Sequence, residues 1–212
     1  MRKVLLGAAL AASIAITPAL AADLTNPTAT VEHMKPAEVA ALLTELGAGE
    51  VQVLQENGEQ FILFKNGAVP FNIGFVACEG QTGCLGMVLV VGFDFGATRY
   101  PMELFNSFNK EHPFVSAIQL DGGKFAVSRM VVTEGGITRK NLATNIAAFA
   151  SAPGSIMTYL SSQFVAGHQP NDPAPFQPVT MNKGPLRPVP LSKTEIDQIK
   201  RQMPALEMNL KR

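Results

Sequence analysis

The chain has 212 residues, of which 47% are hydrophobic and 16% charged, with 13 Phe and no Trp. That is an ordinary globular composition, long enough for one domain with a sizeable core. Lys plus Arg and Asp plus Glu balance at 17 each, so the chain as a whole is not the strongly basic kind that nucleic acid selects.

Arg2 and Lys3 precede an apolar run, Val4–Ile16, which Thr17-Pro18 breaks before the small-residue site Ala19-Leu20-Ala21. This is the pattern of a cleaved secretory signal over residues 1–21. The exported chain is expected to begin at Ala22, in a periplasmic or secreted location. An uncleaved N-terminal anchor is the other reading, but a membrane span needs ~20 apolar residues and no later segment is apolar enough. Without the signal, 15 basic and 17 acidic groups remain, unevenly placed. Residues 22–165 carry 8 basic and 13 acidic groups, and residues 166–212 carry 7 and 4. An acidic body with a basic tail argues against a nucleic-acid partner. It lets the tail dock on an acidic surface, its own or another protein's.

Pro36 suits a first helical position, and Val39, Leu42, Leu43 and Leu46 follow at helical spacing before Gly47. Strands are expected at Glu50–Glu56, Gln60–Lys65 and Val69–Ala77, joined at Asn57-Gly58 and Asn66-Gly67. Phe71, Ile73, Phe75 and Ala77 share one face of the third. A turn-rich loop, Cys78–Cys84, leads into a fourth strand whose inner face alternates from Leu85 to Phe95. Its other face mixes Val88 and Val90 with Gly86, Gly92 and Asp94, the pattern of a central strand whose second face is partly open or closely approached. Pro101 opens a helix with Met102, Phe105 and Phe108 inward. Phe114–Leu120 and Lys124–Thr133 read as a hairpin round Asp121-Gly122-Gly123. Thr138 caps a helix with Leu142, Ile146 and Phe149 inward, kinked or interrupted at 151–154. His168–Pro190 is proline-rich and has no periodicity. Ser192 and Glu195 form a capping box, after which Ile196, Ile199, Met203, Leu206 and Leu210 recur at helical spacing, with Pro204 ending or kinking the helix.

The expected architecture is α+β: an antiparallel sheet of about five to six strands flanked by helices, in the order α-β-β-β-β-α-β-β-α. The domain would cover residues 22–165, followed by a proline-rich linker at 166–191 and an amphipathic C-terminal helix at 192–212.

Four stretches carry a resemblance: MKPAEVAALLTELG at 34–47, CEGQTGCLGMVLVVGF at 78–93, FNSFNKEHPFVSA at 105–117 and EGGITRKNL at 134–142. In this order the chain resembles the YbjN-domain family of bacterial sensory transduction regulators over about residues 34–165. The family usually has Trp where this chain has Phe108, and Arg129 stands in a strand where an acidic or neutral residue is expected. The family is similar in fold to type III secretion chaperones, small α+β domains that dimerise and bind extended segments of other proteins. The resemblance therefore implies protein binding, with a homodimer as one form, and it brings no catalytic residues.

Export favours pairing of Cys78 with Cys84 as a structural disulfide over a redox or metal role, because no CxxC spacing lowers a thiol pKa and no further ligands lie nearby. His33, His112 and His168 lack metalloprotease spacing, and no nucleophile, base and orienting group can be assembled. No enzyme activity, metal or cofactor is expected. Asn106 and Asn109 are candidates for ligand contact or for bonds to the backbone where the helix ends. Together with Phe105 and Phe108, and with Ile196, Ile199 and Met203 of the tail, they form the candidate interaction set. The tail stripe packs on its own domain or docks in a partner's groove, with a membrane surface third because its polar face mixes Glu195 and Asp197 with Lys200 and Arg201. The function expected is an exported, non-catalytic protein-binding, chaperone-like or regulatory module. The alternative is a small-molecule sensor with a cavity between sheet and long helix.

Overall fold

The computed structural model describes residues 24–94, 102–165 and 187–202. A two-residue strand β1 (Thr30–Val31) precedes helix α1 (Pro36–Glu45). Strands β2 (Gly49–Glu56), β3 (Glu59–Asn66), β4 (Val69–Glu79) and β5 (Gly83–Asp94) follow as successive hairpins. Helix α2 (Met102–Glu111) leads to β6 (Ser116–Gln119), a 3-10 turn at Asp121–Gly123 and β7 (Lys124–Val132). The short strand β8 (Ile137–Thr138) runs into α3 (Arg139–Ala150) and α4 (Ala152–Val165). The described tail holds β9 (Arg187–Val189) and α5 (Lys193–Arg201).

The main sheet is antiparallel, in the order β2-β3-β4-β5-β7-β6, with β9 added beside β5 as a seventh strand. β1 and β8 pair separately. Turn chemistry sets much of this. At the first hairpin Asn57 and Gly58 both have positive φ, the left-handed pair that a two-residue turn requires.

One face of the sheet carries Ile62, Phe64, Phe71, Ile73, Phe75, Met87, Leu89, Val91, Phe93, Phe125 and Val127. α1 lays Val39, Leu42 and Leu43 on it, α2 adds Phe105 and Phe108, and α3 adds Leu142, Ile146 and Phe149. Phe64 stacks on Phe71 at 5.1 Å, and Phe149 meets Phe71 edge-on at 6.0 Å. Phe93 and Phe125, opposed across the ladder, stack at 4.8 Å. Thr138 accepts a hydrogen bond from the Asn141 N–H at 3.1 Å, so it caps α3 as the sequence predicts.

Several details differ from the sequence reading. The sheet has seven strands, because β9 forms inside the proline-rich stretch. Its three residues are too few to show periodicity, and Pro188 lies opposite Phe93 at the short added ladder, where a missing N–H is tolerated. Cys78 and Cys84 belong to the strands rather than to the loop: they are opposed ladder partners, joined as a disulfide with Cα atoms 3.9 Å apart. Met102 is 53% exposed, not inward. The interruption after Ala150 agrees with the sequence and gives two abutting helices rather than one kinked one. The signal region, Pro101, most of the linker, Met203, Pro204, Leu206 and Leu210 lie outside the described residues.

Candidate functional site

The second face of the sheet is built differently. β4 presents Asn72, Gly74 and Val76 there, β5 presents Gly86, Val88, Val90 and Gly92, and β7 presents Ala126 and Ser128. Small residues leave a trough. The described tail fills it as a strap: β9 pairs with Gly92–Asp94 of β5, and α5 then lies across the trough. A Cβ on Gly92 would sit 2.4 Å from Leu191 Cδ2, and one on Gly74 would sit 2.9 Å from Ile196 Cγ2. Both glycines are therefore sockets for strap side chains. Leu191, Ile196 and Ile199 join Phe61, Val76, Val88, Val90, Leu120 and Ala126 in a separate buried cluster. Each of those three apolar side chains contributes about 1.5–3 kcal/mol by burial.

Polar contacts set the register of the strap. The buried Asn72 side chain donates to the Leu191 carbonyl and accepts from the Leu191 N–H, both at 3.2 Å. Ser192 and Glu195 close the capping box, and Leu191 and Ile196 lie in one cluster as a hydrophobic staple. Lys124 pairs with Glu195 at 2.9 Å. Lys193 lies 3.1 Å from Glu59 and 2.6 Å from Asp197, and Lys200 lies 3.3 Å from Glu59. The hydrogen bond from Lys193 holds Glu59 below the usual carboxylate value, with Lys200 adding to it. The bond to Asp197, then that to Glu59, raises Lys193. Partial burial works to raise Glu195, but the bonds from Lys124 and Ser192 outweigh it and leave Glu195 lowered.

The predicted residues fall in different places. Ile196 and Ile199 are buried on the protein's own sheet, and Met203 is outside the described residues. Phe105 and Phe108 are core residues rather than surface contacts; Phe108 meets the Tyr159 ring edge-on at 5.3 Å. Asn109 serves the backbone: its Oδ1 accepts from the Ala117 N–H at 2.6 Å and its Nδ2 donates to the Ala117 carbonyl at 3.2 Å. It thus occupies the outer edge of β6 as a strand would. Asn106 is exposed and lines an open groove of about 580 Å³ with Asn109, Gln119, Asp121 and Gln202. Cys78 and Cys84 stand at the far end of β5 from β9, where Met34 also exchanges two backbone hydrogen bonds with Cys84. Arg129 donates to Asn145 of α3 at 2.5 Å, which accounts for a charge in that strand. The space between Leu104, Phe105, Phe108 and Ile156 has no room for a water molecule and so gives no support to a ligand cavity there.

Sequence reasoning missed Asn72, Gly74, Glu59 and Lys124, which complete the strap's socket. A signal existed: Asn72 and Gly74 interrupt the outer face of an otherwise apolar strand. Among the described residues no His, Cys, Asp and Glu group is placed to hold a metal, and no helix is long and apolar enough to cross a membrane.

Residues 35–158 match the YbjN family, described as "putative bacterial sensory transduction regulator". The match ends within α4, before the strap. No curated protein and no solved structure matches the chain.

Proposed function

The chain belongs to the YbjN family, and on that premise we propose that it is an exported, non-catalytic regulatory module that acts by binding another protein. The observation that carries this reading is the strap. One face of the sheet holds an extended stretch and a helix through glycine sockets, a clamp on the backbone and ion pairs at the rim. These are the means by which a domain grips a segment of a partner. Export rests on the basic, apolar and small-residue pattern of residues 1–21. The non-catalytic part rests on the lack, in the sequence, of any assembled nucleophile, base and orienting group.

The test is cross-linking mass spectrometry on the full chain, expressed with its own N-terminal segment in a bacterial host and recovered from the periplasm. The expected result is a reproducible cross-link from the strap lysines, Lys193 or Lys200, or from Lys124, to one recurrent protein. A chain that stays in the cytoplasm would end the export reading. Cross-links confined to the chain itself, with a monomeric mass by light scattering, would end the binding reading.

A further inference from the structure

We propose that the strap-covered face is a segment-binding surface whose resident occupant, the chain's own tail, gives way to a partner protein's segment of the same design. That design is a short extended stretch ending in a leucine-sized residue, then a capped helix. The helix carries apolar residues at its fourth and seventh positions, as at Ile196 and Ile199, and lysines at its first and eighth, as at Lys193 and Lys200. The inference rests on the binding reading above and names the partner's chemistry.

Three observations carry it. First, the surface recognises a segment largely through its backbone and its rim charges. Asn72 reads the N–H and carbonyl of one residue, Gly92–Asp94 offers a ladder, Lys124 meets Glu195 in the first turn of the helix, and Glu59 meets Lys193 in the first turn and Lys200 in the last. Any segment with that spacing meets the same partners. Second, the occupant is a tethered ligand rather than a continuation of the domain. Residues 166–186 separate α4 from β9, with five prolines among twenty-one positions, enough chain to span about 70 Å when extended. The family match ends at residue 158, so the strap lies outside the matched stretch. Third, the uncovered face does not stand idle. Without Leu191, Ile196 and Ile199, the apolar residues Phe61, Val76, Val88, Val90 and Ala126 lose their cover, and such a patch calls for an occupant. Because the resident tail belongs to the same chain, its docking is intramolecular and needs no second molecule. A partner segment therefore binds with an apparent affinity lowered by the closed fraction, and weakening the strap removes that penalty.

The experiment titrates a fluorescein-labelled peptide of residues 187–202 into the full chain and into the full-length Ile199→Asp variant, read by anisotropy. The variant, shown folded by circular dichroism, is expected to bind the peptide at least about tenfold more tightly than the unaltered chain. Adding Asn72→Ala to the variant is expected to remove that binding. Equal binding to both chains, or none to a folded variant, overturns the proposal. Should Ile199→Asp fail to fold, a protease site placed within 166–186 of the otherwise unaltered chain serves instead. After cleavage and dilution the labelled peptide replaces the cut strap, and a strap that is never replaced overturns the proposal. Asp94→Cys with Arg187→Cys, opposed in the ladder, distinguishes the occupants. A disulfide within one chain supports the resident tail, whereas a disulfide between chains makes a second copy the occupant and overturns the assignment to another protein. If exchange fails while the full chain still cross-links a partner elsewhere, the binding function stands and only its location is lost.

Discussion

The helix-covered face and the strap-covered face bury the same kinds of side chain by different means. On the first, α1 and α3 are joined to the sheet through short connections, and Phe64, Phe71 and Phe149 form one aromatic contact chain. On the second, the cover arrives from residue 187 onward and is held by three apolar side chains, one asparagine and ion pairs that keep only part of their surface in water. Ion pairs of that exposure are each worth about 0–1 kcal/mol. The contrast teaches that burial alone does not say what belongs to the folding core. A face closed by continuous elements is expected to melt with the domain, and one closed by a segment far along the chain to open separately, which amide exchange can tell apart.

The largest effect expected tests the first face. Phe149→Ala removes an aromatic side chain from a fully packed site and should cost about 3–5 kcal/mol. Urea denaturation followed by far-UV circular dichroism would show it as a lower midpoint for the whole domain. Ile199→Ala, at a position just as buried, should cost about 2–4 kcal/mol but locally. Amide exchange should speed up in α5 and β9 and stay unchanged in α3. A loss of protection spread evenly over both faces would erase the distinction drawn here. Reducing Cys78–Cys84 should cost about 2–2.5 kcal/mol, the amount expected for so short a closed loop. It should leave the strap in place, since β9 sits at the other end of β5.

The smallest effect is that of acid. Glu59 and Glu195 are lowered by their lysine partners, so their contribution is present above the ordinary carboxylate value of 4.5 and is lost as pH falls through their lower folded values. Lys193 is raised, so its contribution is intact below 10.5 and is lost only as pH rises through its higher folded value. Strap docking should therefore be flat between those limits. On the other side of the sheet, the hydrogen bond from Arg139 and that from the Thr25 backbone draw Glu45 down to about 2. Carboxyl titration by NMR should find Glu45 protonating last, after the strap has loosened. A strap that holds below the point where Glu45 titrates would sink this order.

Much of the sheet was legible because its signals are local. Asn57-Gly58, the alternation from Leu85 to Phe93, the Thr138 cap and the Ser192–Glu195 box each act over a few residues. The bond between Asn109 and Ala117 spans eight positions, and the backbone role weighed for that asparagine from the sequence is the one it plays. The strap was legible as an amphipathic helix but not as to what it covers. Its destination depends on contacts such as Asn72 with Leu191, 119 positions apart, which no periodicity encodes. β9 escaped for a related reason, since three residues with a central proline become a strand only where Gly92 leaves space.

The side chain of Asn109, lying along β6, also bears on assembly. β2 and β6 are the two borders of the main sheet. At Ala117 the outward N–H and carbonyl of the β6 border are already engaged by Asn109, so an added strand would find that rung of the ladder taken.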